Sequence, residues 1–254
     1  RPNLMRLLHE GVKAGKPWMI VPHGTLMTPA LRHSAFKKSV ELAIGGRRLL
    51  QSCRAALVAS DEEAQSSVPY LPPRTIMAPP PVLVSPLYEN GARGSEGTLK
   101  IGFLGRFNPI KRLDLMLEAC RLGRGTDAEF RLMLAGSDEQ GLTRLLTDRY
   151  QDLFAAGLAC WMTPLDGQAK DAFLAGLDAL ILTSSFESYG IVILEAWAQG
   201  TPCIVTSTVG LASIVRERGG GVVLDEASAP AILRGIRKLQ TALRLSLALE
   251  SATP

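Results

Sequence analysis

Strand-length apolar runs alternate with segments of helical period along most of this 254-residue chain. Eight runs have the length and composition of buried strands, and they cover residues 18–22, 55–59, 98–105, 129–136, 158–162, 178–184, 202–206 and 221–224. Helical segments fill the gaps, such as KRLDLMLEACRL after the third run and SAPAILRGIRKL after the last. This alternation is typical of a parallel sheet wrapped by helices, so it predicts an α/β fold.

Proline and glycine interrupt the alternation in residues 70–97, which read YLPPRTIMAPPPVLVSPLYENGARGSEG. Proline disfavours regular helix and ladder pairing, so we expect a connector there, with the domain boundary at residues 79–97. Residues 98–254 then hold six strands, enough for a complete doubly wound, Rossmann-like domain. Residues 1–97 hold about two strands and predict a partial Rossmann-like domain.

The four cysteines are widely separated, which argues against a zinc site or a disulfide framework. We expect four separate buried thiols in a reducing compartment, at Cys53, Cys120, Cys160 and Cys203. No apolar run reaches the roughly 18 to 20 residues that a bilayer span needs, and the N-terminus lacks a signal-peptide pattern. A cytoplasmic location is therefore expected.

Positive charge is concentrated in residues 1–54, where ten Lys or Arg against two acids give +8, while the whole chain carries +4. One interpretation is a solvated helical face. The alternative is attraction to a phosphorylated acceptor or an anionic membrane, which would make the protein peripheral on the inner membrane face. No nucleic-acid motif or aromatic interleaving accompanies the charge, so no nucleic-acid partner is expected.

The segment GFLGRFNPIKRLD follows the strand predicted at residues 98–105. Gly102 and Gly105 suit a tight turn, and Arg106 and Lys111 place two cations at the opening of the next helix. Helix N-terminal amides and cations both favour phosphate oxygens, so this segment is a candidate diphosphate cradle. The spacing does not match a Walker loop.

Glu187 and Glu195 lie eight positions apart in SSFESYGIVILEAWAQG. A helix that begins near Tyr189 would turn its N-terminal amides and both carboxylates towards one crevice. The alternatives are a charge that favours a helix N-terminus and an exposed polar position, respectively. Because Glu195 stands among apolar residues, its carboxylate needs partners if it is buried, and the hydroxyls of a ribose would supply them.

Together, GRFNPIK, LMLAGSDEQG and LTSSFESYGIVILEAWAQGTPCIV resemble, in order and separation, the nucleotide-sugar-binding half of family-4 (group 1) retaining glycosyltransferases of the GT-B fold. The Glu-x7-Glu pair is that family's signature. The resemblance extends to IVPHGTL and AALVASDEEAQ in the first half. It implies a shortened N-terminal domain and a chain that stops before the family's closing helix.

The resemblance also implies a role for each site residue. Arg106 and Lys111 would bind the donor diphosphate, Glu187 the transferred sugar and Glu195 the ribose, while His23 would reach across the cleft from the first domain. Gly105 and Gly136 would let the backbone approach the nucleotide. Backbone amides around the helix start would meet sugar and phosphate, at Ser188, Tyr189, Gly190 and Ile191.

The implied reaction moves a sugar from a nucleoside diphosphate, UDP- or GDP-linked, to a carbohydrate or lipid-linked acceptor with retention at the anomeric carbon, as in glycoconjugate or cell-envelope polysaccharide synthesis. No cofactor or metal is expected, since side-chain cations balance the diphosphate. A noncatalytic nucleotide-sugar-binding module with a degenerate acceptor domain stays open as an alternative. A dinucleotide-binding protein is disfavoured, because no strand is followed by G-x-G-x-x-G.

Overall fold

A computed structural model describes residues 10, 13, 15, 17–32, 42–82, 87 and 98–251 of the chain. The chain forms two compact units, of which unit 1 comprises Arg1–Pro81 with Phe186–Tyr189, and unit 2 comprises Val82–Ser185 and Gly190–Pro254. The change from unit 1 to unit 2 at Pro81 falls within the predicted linker. Residues 83–86 and 88–97 of that linker lie outside the described residues.

Unit 1 is built on a parallel sheet of three strands in the order β1-β2-β3. The strands are β1 (Met19–Ile20), β2 (Ala55–Val58) and β3 (Thr75–Met77). The helices are α1 (Thr28–Arg32), α2 (Arg47–Gln51) and α3 (Asp61–Ser67), with a π-helix at Leu42–Gly46 and a 3-10 turn at Val68–Tyr70. Its core is a cluster of buried apolar side chains, namely Leu26, Leu50, Ala56, Val58 and Leu71.

The prediction of a connector throughout residues 70–97 was wrong at Thr75–Met77, which form strand β3. Its three residues pair with β2 from Ala56↔Thr75 to Val58↔Met77. The prolines of the segment stand before and after these residues, so each of the three keeps its N–H group. Proline restricts strand pairing only where it stands itself, and β3 lies at the edge of the described sheet.

Unit 2 contains one sheet of six parallel strands in the order β6-β5-β4-β7-β8-β9. The strands are β4 (Leu99–Leu104), β5 (Phe130–Ala135), β6 (Ala159–Met162), β7 (Ala179–Leu182), β8 (Cys203–Thr206) and β9 (Gly221–Leu224). This sheet confirms the predicted α/β class and the six strands expected after residue 98. Strand β7 is buried and apolar throughout, and β8 is buried and apolar except for Thr206, as expected of strands covered on both faces.

Helices of unit 2 connect these strands. They are α4 (Leu113–Gly123), α5 (Leu142–Arg149), α6 (Gln151–Ala155), α7 (Gly167–Ala175), α8 (Ile191–Ala198), α9 (Ala212–Arg218) and α10 (Ala229–Ser251). Helix α10 packs against α4 and, with 23 residues, extends well beyond the predicted segment SAPAILRGIRKL. Among the described residues, no helix has the length and apolar character that a membrane crossing requires.

The cysteines depart from the prediction at one position. Cys53, Cys120 and Cys203 are buried and unpaired, as expected, but Cys160 is exposed. It lies on β6, at the edge of the six-stranded sheet, where the side chains facing one side of the strand are only partly covered. Its thiol is therefore the accessible one of the four.

Candidate functional site

The strand order of unit 2 reverses between β4 and β7, and the candidate site lies at this switch point. The chain runs from β4 outward to β6, returns to β7 beside β4, and then continues to β9. In doubly wound sheets, ligands bind outside the carboxyl ends of the strands at such a switch point. Two segments of unit 2 follow there, residues 105–112 after β4 and residues 183–185 after β7.

The loop at residues 105–112 begins with a close backbone contact to the end of β5. The Gly105 amide donates to the Ala135 carbonyl at 3.0 Å, and the Phe107 amide donates to the Ser137 carbonyl at 2.8 Å. A Cβ atom at Gly136 would lie 1.8 Å from the Gly105 carbonyl oxygen. Position 136 thus requires glycine because the neighbouring loop already fills this space. That the glycine at position 136 also lets the nucleoside of the donor pass nearby stays a prediction.

The far end of the same loop is tied to the residues after β7. The Ser185 amide donates to the Ile110 carbonyl at 2.7 Å, and the Thr183 hydroxyl donates to the Lys111 carbonyl at 3.4 Å. Residues Pro109–Lys111 form a 3-10 turn whose first amide is capped by the Asn108 side chain. Hydrogen bonds therefore hold the backbone of Lys111 beside the carboxyl end of β7.

Two cations predicted to meet the diphosphate, Arg106 and Lys111, both lie on this loop. Arg106 is exposed and forms no ion pair with any described residue, whereas Lys111 is partly buried. A third cation, Arg112, binds both carboxylate oxygens of Asp114 at 3.1 Å and is neutralised locally. Arg106 therefore presents an exposed positive charge to an anionic ligand.

Helix α8 begins at Ile191, near the carboxyl end of β7 and two residues after the predicted start near Tyr189. Its N-cap is Gly190, at φ 92°, which has no side chain that could cap the first turn. A Cβ atom at Gly190 would lie 3.0 Å from a methyl of Val209 and 3.1 Å from Ile193, and this φ favours glycine in any case. The first amides of α8, from Ile191 onward, are consequently the kind of donors that bind phosphate oxygens.

A buried hydroxyl marks the same end of β7. Ser184 is fully buried, and its Oγ has no hydrogen-bond partner among the described residues. Its carbonyl accepts from the hydroxyls of Thr206 at 3.0 Å and Thr208 at 2.6 Å. Buried hydroxyls are nearly always paired, so an unpaired one at a switch point is consistent with a ligand-binding region.

Glu195 has a protein partner that the sequence did not reveal. Lys170 on α7 donates to its Oε1 at 2.8 Å, and the two side chains are 25% and 18% exposed for lysine and glutamate, respectively. The expectation that Glu195 needs partners is confirmed, but an ammonium group supplies one of them. Residues 25 positions apart on different helices share no periodic signal, so sequence analysis missed Lys170.

Asp138 is a second residue that sequence analysis missed. Burial alone would raise the pKa of its carboxyl, but the Thr143 hydroxyl and three backbone amides donate to it and lower the pKa to about 2. Two of these amides, Leu142 and Thr143, belong to the first turn of α5. A charged Asp138 thus anchors the loop after β5, next to Gly136.

The remaining predicted residues belong to unit 1. His23 is exposed and has φ 48°, in the left-handed region, within a turn closed by the Thr25 amide donating to the Pro22 carbonyl at 3.1 Å. Glu187, Ser188 and Tyr189 are partly buried in the same unit. Glu195 belongs to unit 2, so a crevice shared by both glutamates stays a prediction.

Comparison with known proteins connects this geometry to a family. The model of a family described as "Glycosyl transferases group 1" matches residues 90–246. The D-inositol 3-phosphate glycosyltransferase of Geodermatophilus obscurus is 28% identical over 213 residues, which cover 76% of this chain and 47% of that protein. The chain thus spans about half the length of this curated relative.

Solved structures show the same fold. Sucrose-phosphate synthase from Thermosynechococcus elongatus superposes with a TM-score of 0.78 at 17% identity, over 93% of this chain and 63% of the other. Anabaena Alr3699/HepE, in complex with UDP and glucose, superposes with a TM-score of 0.73 at 15% identity, over 92% and 65%. These likenesses confirm the predicted GT-B-type fold.

Proposed function

Since the chain belongs to the group 1 glycosyl transferases, we propose that the protein moves a sugar from a nucleoside-diphosphate donor to an acceptor hydroxyl. The observation that carries the proposal is the switch point of unit 2. There, the loop bearing Arg106 and Lys111 is hydrogen-bonded to the residues after β7, beside the uncapped helix α8. Cations next to a helix N-terminus form a site for a diphosphate.

The donor that we propose is UDP- or GDP-linked, and UDP is favoured by the structural relative that holds UDP and glucose. Lys170 occupies Oε1 of Glu195, and no described residue donates to Oε2. The second oxygen can accept from ribose hydroxyls while Lys170 offsets the cost of keeping the carboxylate charged. Lys170 thereby supports the role that we propose for Glu195.

For the reaction, we propose transfer with retention and without a metal. The bond from the anomeric carbon to the β-phosphate oxygen breaks, a bond to the acceptor oxygen forms on the same face, and the acceptor proton passes to the departing phosphate. Negative charge grows on the diphosphate as that bond breaks. We propose that Arg106, Lys111 and the first amides of α8 stabilise this charge, which is the electrostatic form of catalysis.

Nucleotide titration of the full-length protein tests the cradle. Arg106→Ala and Lys111→Ala should each weaken UDP or GDP binding by about tenfold or more, because a charge-assisted hydrogen bond contributes about 1.5 to 3 kcal/mol. Arg131→Ala is the matched control, since Arg131 is exposed near the amino end of β5, at the opposite edge of the sheet. Affinity that neither site variant changes would contradict the cradle.

A donor-hydrolysis screen tests catalysis separately from binding. The full-length protein should hydrolyse one nucleotide sugar, and Glu187→Ala should lose hydrolysis while keeping nucleotide affinity. Nucleotide binding without hydrolysis or transfer of any donor would favour the noncatalytic binding module instead. Normal turnover by Glu187→Ala would remove Glu187 from the mechanism.

We also propose that the protein works in the cytoplasm on a carbohydrate or lipid-linked acceptor, docking through its basic first half. Lys13, Arg47, Arg48 and Arg54 are exposed there, and the backbone of Arg32 lies at the end of α1. The other predicted cations, Arg1, Arg6, Lys16, Lys37 and Lys38, lie outside the described residues. Cosedimentation with vesicles should rise with anionic lipid and fall with salt; equal recovery on neutral vesicles would contradict docking.

A further inference from the structure

A buried carboxylate in unit 1 holds the turn that carries His23. Glu63 is 1% exposed, and no basic side chain neutralises it in an ion pair among the described residues. Its Oε1 accepts from the Gly24 amide, and its Oε2 accepts from the Ala59 amide at 2.8 Å. A carboxyl group buried this deeply is costly unless it is hydrogen-bonded, so the contacts with the Gly24 and Ala59 amides stabilise its position.

The start of helix α3 explains why this carboxylate is unusual. Ser60 is the N-cap, and its hydroxyl accepts from the Glu63 amide at 3.1 Å, which is one half of a capping box. In a complete box, the glutamate would reach back to the N-cap amide. Glu63 instead binds Ala59 and the distant Gly24, 39 positions away. The Glu63 side chain thus joins the residue before the N-cap to the distant turn at Gly24, and neither contact is part of the cap of α3.

The turn that Glu63 holds is strained. His23 and Gly24 follow each other at φ 48° and φ 76°, and two successive residues at positive φ are typical of a type I′ turn. Histidine disfavours this conformation, because its Cβ crowds the carbonyl oxygen. Strained residues persist where the surroundings determine them and where the side chain has a use.

The same helix start also holds the segment next to Glu187. The Ser60 hydroxyl donates to the Ser188 carbonyl at 2.6 Å. A Cβ atom at Gly24 would lie 2.9 Å from that of Ser188, so the turn and this segment touch. Within unit 1, the start of α3 therefore binds the neighbours of both His23 and Glu187.

We propose that Ser60 and Glu63 form a clamp that positions His23 and Glu187 for sugar transfer. The inference rests on the proposed function, in which both residues meet the transferred sugar or the acceptor. The clamp residues act through backbone groups and are positioning residues. Displacement of a reacting group by about 1 Å can cost about a hundredfold in rate, so the clamp should affect turnover rather than nucleotide binding.

Kinetics of the full-length protein with the donor that it hydrolyses test the clamp. Glu63→Gln replaces one acceptor oxygen by an NH2 group that faces an amide, and it should lower kcat by about 10- to 100-fold. The Kd for UDP should stay unchanged, since its proposed contacts lie in unit 2. Glu62→Gln, an exposed neighbour on the same helix, is the matched control, and Glu63→Asp, which keeps a carboxylate, should recover part of the rate.

A double-mutant comparison separates positioning from a general structural role. His23→Gly removes the imidazole, and adding Glu63→Gln to it should cost much less than in the wild-type background, because coupled residues are not additive. Full additivity, or an unchanged kcat in Glu63→Gln, would overturn the clamp. Should Glu63→Gln fail to fold, Ser60→Ala decides, since it removes the bond to Ser188 and its unchanged kcat would also overturn the clamp. A wild-type protein without donor turnover would overturn the proposed function itself.

Discussion

Replacing Gly136 by alanine places a methyl carbon 1.8 Å from the Gly105 carbonyl oxygen. Contacts of a Cβ below 3.0 Å essentially do not occur, so the two backbones must separate by at least 1.2 Å, the difference between these distances. The hydrogen bonds that flank the contact, at 3.0 Å from Gly105 and 2.8 Å from Phe107, cannot both survive that movement.

The cost follows from these contacts. Losing one or two backbone hydrogen bonds costs about 0.5 to 1.5 kcal/mol each, and overpacking adds about 1 to 3 kcal/mol. Gly136→Ala should therefore be about 2 to 5 kcal/mol less stable, with a Tm lower by roughly 6 to 15 °C. Because the displaced loop carries Arg106, we also expect UDP affinity to fall by about tenfold or more.

Thermal unfolding and UDP titration of the same variant check both expectations. Gly157→Ala is the control, because it adds a methyl group at φ 67° with nothing within 4 Å. It should cost about 1 to 2 kcal/mol of backbone strain and leave UDP affinity unchanged. If Gly136→Ala unfolds no more easily than this control and binds UDP normally, the close approach of Gly105 does not determine the loop.

Three further predictions concern individual side chains. In a double-mutant cycle on unfolding, Lys170→Met and Glu195→Gln should show a coupling of about 1 kcal/mol, as expected for a partly buried pair; a coupling of zero would mean that the ion pair is not maintained. The lowered pKa of Asp138, about 2 against an ordinary 3.8, contributes stability that is complete above pH ~4 and is lost as the pH falls towards 2. In Asp138→Asn, the free energy of unfolding should fall less between pH ~4 and pH ~2 than in the wild type. An unchanged fall would contradict the assignment. With Ellman's reagent, the native protein should label Cys160 and spare the other three cysteines until it unfolds, since they are at most 5% exposed; labelling of more than one thiol in the folded state would contradict their burial.

Local pattern was enough for much of unit 2. The apolar runs predicted all six of its strands, because a buried parallel strand must be apolar over most of its length. The turn at Gly105 and the glycine before α8 could also be recognised, since the first follows the end of β4 and the second precedes the start of α8. The resemblance then assigned roles to Arg106, Lys111 and Glu195 in advance of any coordinates.

At β3, the high proline content of the sequence led to the wrong prediction of a connector. A proline blocks pairing only at its own position, and three residues between prolines were enough to extend the sheet of unit 1. Cys160 was misjudged for a similar reason. An apolar run indicates a strand, but the position of that strand in the sheet decides which of its faces is covered.

By itself, the sequence determined the α/β class, the order of the elements and the family, because period, length and motif spacing are properties of neighbouring residues. Only the tertiary structure decided which groups meet: Lys170 with Glu195, the Gly105 carbonyl with Gly136, and Glu63 with the turn at His23. These contacts join residues from 25 to 39 positions apart. Such pairs are selected by packing and by the cost of burying an unpaired charge, and neither leaves a periodic trace in the chain.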